Sequence, residues 1–190
     1  MAASKAGPLV VVQKSSTAAN EDGGHKQTIY LDRHKVMAPG SGVLTGFGLH
    51  RPSKSTIRYD FSYVQAPSAG STSAHCTPWN DEDGGGGYRN IYLDRHKVMA
   101  PSGSFLVGFH LVREGASKGR YRYDYWCRSA ACGPTQEAHT KPNDWGNGAV
   151  IYLDRHKFDV PKGCGLRGFQ LYRPTDDTIA YRYWFAAFMD

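Results

Sequence analysis

Aspartate and histidine separated by one arginine occur three times, as Asp32-Arg33-His34, Asp94-Arg95-His96 and Asp154-Arg155-His156. On an extended strand residues i and i+2 face the same way. Each Asp/His pair could therefore work as a general acid and base, and three pairs about one axis could hold a metal ion. The copies are identical, however, whereas an asymmetric substrate needs an acid and a base in different environments. A structural use fits better. Each Asp is expected to share the outer face with an arginine of its own unit, Asp32 with Arg58, Asp94 with Arg122 and Asp154 with Arg182, in cross-strand ion pairs worth about 0.2–1 kcal/mol each. No catalytic, metal or cofactor role is assigned to them.

Other chemistry-bearing patterns are weaker. Cys127, Cys132 and His139 have no zinc-finger spacing, and the four cysteines fall at inequivalent positions, so they read as reduced thiols rather than a disulfide framework. The glycine run Gly84–Gly87 lacks the Lys-Ser/Thr of a phosphate loop, and no nucleophile elbow is present. Tyr121-Arg122-Tyr123 and Tyr181-Arg182-Tyr183 alternate as base-stacking strands do, but their tyrosines fall on the expected core face, which argues against nucleic acid. Arg33 and Arg51, with their counterparts, are read as rim residues whose stems cover the core edge, the alternative being a basic ring that binds an anion.

The element that must position these residues is Ile-Tyr-Leu-Asp-Arg-His-Lys, found at 29–35, 91–97 and 151–157. Each copy is followed at fixed offsets by Pro39, Pro101 or Pro161, by Leu44, Leu106 or Leu166, by Gly-Phe at 46–47, 108–109 or 168–169, and by Leu49, Leu111 or Leu171. Three tandem repeats of about 60 residues follow, over 20–66, 80–129 and 143–190, preceded by a strand and linker at 1–19. β-formers, prolines and Asn/Asp/Gly turns predict about three strands per repeat, the first running from Thr28 to Val36. The segment around Val10–Gln13 is expected to pair near residues 180–189 and so close the last repeat onto the first.

Period-two alternation places Ile29, Leu31, Phe47, Leu49, Tyr59, Phe61 and their counterparts inside. Six such side chains cannot support a unit alone, but eighteen can support one shared core. The expectation is an all-β chain, 1–190 as a single pseudo-threefold domain, which resembles a β-prism or β-trefoil in its repeat logic. The trefoil's Gln-x-Trp signature is not found at repeated positions.

A formal net charge of +6 favours an acidic partner. The apolar run Leu9–Val12 is far too short for a membrane span or secretory core, so a soluble, intracellular protein of the cytoplasm or cytoskeleton is expected. The repeated residues form a frame, whereas the tips between the second and third strands differ. Lys54, Lys118 and Arg120 make two tips basic, and Asp176 and Asp177 make the third acidic. The chain is accordingly read as a non-enzymatic interaction protein of a larger assembly, most specifically a microtubule-associated component of a ciliary or flagellar axoneme meeting acidic tubulin. The alternative is a carbohydrate-binding module using the turns that carry Trp79 and Trp145.

Overall fold

β-branched and aromatic residues favour a pleated, half-buried backbone, and most of the chain adopts one. The computed structural model describes residues 11–24, 27–66, 70–81, 89–115 and 119–189, which form three antiparallel sheets of five strands each. The first unit contributes β1 (Gln13–Ser16), β2 (Asn20–Glu21), β3 (Val36–Met37), β4 (Gly42–His50) and β5 (Thr56–Gln65). The second contributes β6 (Thr72–Cys76), β7 (Asn80–Asp81), β8 (Val98–Met99), β9 (Ser104–Arg113) and β10 (Arg120–Ser129). The third contributes β11 (Gln136–His139), β12 (Asn143–Asp144), β13 (Phe158–Asp159), β14 (Cys164–Thr175) and β15 (Thr178–Ala187).

Each sheet is built on a long hairpin, β4–β5, β9–β10 or β14–β15. The unit's two leading strands pair with the second hairpin strand. The first hairpin strand pairs on its other side with a two-residue strand from a different unit: β3 joins β9, β8 joins β14 and β13 joins β4. This exchange explains the repeated glycine of Gly-Phe. A Cβ on Gly46, Gly108 or Gly168 would lie 2.2, 2.4 or 2.5 Å from the carbonyl oxygen of Phe158, Val36 or Val98, so only glycine lets the visiting strand approach.

Closure of the third unit on the first therefore runs through Phe158–Asp159, not through the N-terminal segment. Val10 lies outside the described residues, Val11 and Val12 are exposed, and β1 pairs with Asp60–Tyr63 of β5. β1 is the counterpart of β6 and β11, each the edge of its own unit's sheet, and the place beside Arg182–Phe185 is taken by β11.

A second correction concerns Thr28–Val36. Thr28–Arg33 forms a 3₁₀ turn, as do Asn90–Arg95 and Val150–Arg155, and the strand begins only at Val36. With three residues per turn, positions i and i+3 eclipse. Thr28, Leu31 and His34 thereby share one buried face, a gain that overrides the strand propensity of Ile-Tyr-Leu.

The inward faces meet in one hydrophobic cluster that contains Leu31, Phe47 and Leu49 together with their six counterparts. At its centre Phe47, Phe109 and Phe169 touch one another, with ring centroids 4.7–4.8 Å apart. Tyr59, Tyr123 and Tyr181 surround them edge-on, each against the phenylalanine of its own unit and that of a neighbouring one. Such tilted and edge-to-face contacts add about 0.5–1.5 kcal/mol each to area burial. A bulge at Thr45, Val107 and Arg167 resets the strand phase, so Leu44 and Phe47, three apart, are both buried.

Candidate functional site

The 3₁₀ turn separates the residues that a strand would have aligned. Asp32 points outward and its carboxylate accepts from Arg113 Nε at 2.8 Å, while its carbonyl oxygen lies 2.6 Å from His110 Nε2. Asp94 accepts from Arg173 Nε at 3.1 Å, and its carbonyl from Gln170 Nε2 at 2.9 Å. Burial raises the Asp154 carboxyl, and the Arg51 guanidinium acts against that rise. The expected partners Arg58, Arg122 and Arg182 are corrected by this geometry. Asp32 and Asp94 meet the arginines at the end of the next unit's first hairpin strand, and Asp154 feels the charge of the equivalent Arg51, because the turn carries each aspartate towards that unit. Arg58 and Arg122 bind Asp60 and Asp124 on their own strands, each at 2.8 Å, and Arg182 lies 3.5 Å from Glu137. Arg182 is not even the counterpart of Arg58. Leu49, Leu111 and Leu171 pair with Tyr59, Tyr123 and Tyr181, which puts Ala180 in that place.

Arg33, Arg95 and Arg155 stack over Tyr30, Tyr92 and Tyr152 at 4.2–4.4 Å, the eclipsed i,i+3 pairing of a 3₁₀ turn. The histidines are buried. The Nδ1 atoms of His34, His96 and His156 share hydrogen bonds of 3.0–3.1 Å with Thr17, Thr77 and Thr140 Oγ1. Each threonine also accepts the backbone N–H of Tyr59, Tyr123 or Tyr181. Burial lowers the His34 ring below its ordinary range and, with Arg95 and Arg155 adding to it, lowers His96 and His156 to about 4. These are neutral frame residues, and none shares a site with the aspartate two positions before it. Among the described residues no group of three or more His, Cys, Asp or Glu side chains could hold a metal ion.

The threonines escaped the strand-based reading, although Thr-x-x-Asn recurs at 17–20, 77–80 and 140–143. Thr17 thus belongs to the frame, not to a linker. In each copy the asparagine Nδ2 donates to the carbonyl two residues earlier, at 3.1–3.3 Å, which turns the chain from the edge strand towards the short strand.

The tips and turns expected to bind a partner are dispersed. Lys54 is exposed on the β4–β5 tip, and Lys118 lies outside the described residues. Arg120 is engaged by Glu114 at 3.0 Å and Asp81 at 3.8 Å. Trp79 lies beneath Arg122 at 4.6 Å, and Trp145 has Arg89 5.9 Å from its ring centre. Gly84–Gly87 also lies outside the described residues.

The sheets differ most in one row across their outer faces. In the second sheet the row reads Ala74, Trp126, Gly108, Met37, and in the third Glu137, Trp184, Gly168, Met99. A lysine ammonium lies over each indole, Lys35 over Trp126 at 4.2 Å and Lys97 over Trp184 at 4.5 Å. In the first sheet the same row reads Lys14, Ser62, Gly46, Asp159. Ser62 Oγ accepts from Thr45 Oγ1 at 2.9 Å and donates to Asp159 Oδ1. A cleft of about 240 Å³ opens there, lined by Lys14, Arg58, Asp60, Phe61, Lys157 and Asp159 among others. No protein-family model matches the chain, and no curated protein matches it in sequence.

Proposed function

We propose that the chain is a non-enzymatic interaction module, its three sheets forming the sides of a β-prism about a pseudo-threefold axis, that binds an acidic protein surface within a larger intracellular assembly. The observation that carries this reading is how the charges are divided. Asp32, Asp60, Asp94, Asp124, Glu114 and Glu137 each face an arginine. All seven lysines among the described residues, by contrast, are exposed. The surface therefore presents exposed ammonium groups to a partner, while these six carboxylates are already engaged by arginines. The repeated Asp and His residues serve packing and pairing, which leaves binding to the residues that differ between units.

A microtubule, as in a ciliary axoneme, is the specific acidic surface to test. Cosedimentation should weaken steeply with salt, because screening acts over about 8 Å at physiological ionic strength. Changing Lys54 and Lys118 to Glu should reduce binding at least tenfold and leave the melting temperature nearly unchanged. Arg120 is left in place because it already holds Glu114. Undiminished binding of that variant at low salt would remove the basic-tip account. The carbohydrate reading would need the faces of Trp79 and Trp145, near which Arg122 and Arg89 already lie. Glycan binding lost on changing both tryptophans would restore it.

A further inference from the structure

We propose that the cleft on the first sheet binds a tryptophan side chain presented by a partner polypeptide, using Lys157 as its cation–π lid. The occupant is argued from the other two sheets, where the chain itself supplies the ring. Lys157 holds the same place in its unit as Lys35 and Lys97, and those two cover Trp126 and Trp184. Ser62 stands where the tryptophans stand, opposite glycine in all three hairpins. A ring entering from outside would lie over Gly46, against Lys157 and beside Lys14.

Two further substitutions suit an external indole. In the third sheet the Trp184 N–H donates to Glu137 Oε2 at 2.7 Å, so an acceptor beside the ring position can be used by an indole, although Ala74 stands opposite Trp126 in the second sheet. Lys14 takes the place of Glu137 in the first sheet, and an acceptor is supplied instead by Asp159, which takes the place of Met37 and Met99. The Asp159 carboxylate accepts from Ser62 through one oxygen and retains acceptor capacity for an indole N–H. The same carboxylate, and Asp60 with its partner Arg58, make the lining mixed in sign beside Lys14 and Lys157 rather than a site of positive charge alone. At about 240 Å³ the cleft is below the roughly 300–1,000 Å³ of pockets for drug-sized ligands, and suits a single side chain.

The test is titration of the isotope-labelled chain with N-acetyltryptophanamide, followed by amide chemical shifts. Saturable shifts at Ser62, Lys157 and Asp159 are expected, with a dissociation constant on the order of 1 mM, as befits one ring and one cation. Lys157→Ala should weaken binding at least fivefold. Ser62→Trp combined with Asp159→Met, which rebuilds the row of the other sheets, should abolish it while the spectrum stays dispersed. If the double variant fails to fold, Lys157→Ala alone decides. Shifts absent from these three residues up to the probe's solubility limit overturn the proposal, as does unweakened binding by the Lys157 variant. Saturable shifts with methyl glycosides but not with the indole would overturn it in favour of a sugar. None of these outcomes depends on microtubule cosedimentation.

Discussion

Thr77 shows how much of the frame hangs on one hydroxyl. Its Oγ1 serves the His96 ring and the Tyr123 N–H at once, both buried. Thr77→Val keeps the shape and leaves two polar groups without a partner, so a loss of about 1–3 kcal/mol is expected in urea titration, with the m-value unchanged. The histidines also predict a pH dependence. Their folded pKa values lie below the unfolded value of about 6.5, with His96 and His156 at about 4, so the unfolded chain binds more protons between those limits. Stability should be fully present above pH 6.5 and fall as the pH drops towards 4, each of these two rings costing roughly 1.4 kcal/mol per pH unit in between. Melts at a series of pH values should show this slope, and His96→Gln should flatten it. Indifference of the melting temperature to pH over that window would mean that the rings are not buried neutral.

At the scale of the element, the phase of the core strands was legible in the sequence, because Phe47, Leu49, Tyr59 and Phe61 alternate in the plain period of a half-buried strand. The 3₁₀ turns were not. Ile-Tyr-Leu carries strand propensity, and the contrary signal, Thr28, Leu31 and His34 at a spacing of three, spans only two turns. Nor could the ion pairs be assigned, since the choice between Arg58 and Arg113 for Asp32 depends on which unit the turn faces. The cleft was hidden for a related reason: Ser62 and Asp159 become neighbours only through the exchange of β13, and nothing local in the chain links them. That exchange can be probed through its glycines. Gly108→Ala places a methyl 2.4 Å from the Val36 carbonyl and should cost about 1–3 kcal/mol, with hydrogen exchange quickening at Val36 and Met37. Unchanged protection there would show that the short strand has room to move.

Taken whole, the molecule stands on rings that belong to no single unit. Phe109 touches Phe47, Phe169, Tyr59 and Tyr123, drawn from all three units. Phe109→Ala should therefore cost about 3–5 kcal/mol and melt all three sheets in one transition, as followed by far-ultraviolet and aromatic circular dichroism. Two separate transitions would mean that the sheets are energetically independent. No helix among the described residues is long and apolar enough to cross a membrane.

The exchanged strands also impose an order in time. β3 and β8 are made before the hairpins that receive them, so the second and third sheets find their visiting strand already waiting. The first sheet does not: β13 follows β4 by roughly 110 residues, and at about 5–20 residues per second the Gly46–Phe47 edge of a nascent chain stays uncovered for on the order of ten seconds. During that interval the edge is a template for any other strand nearby, including one from a second chain on the same messenger. Synthesis speed between the first unit and Phe158 thus governs how safely this fold is made, and the first hairpin is where a misassembled chain would begin.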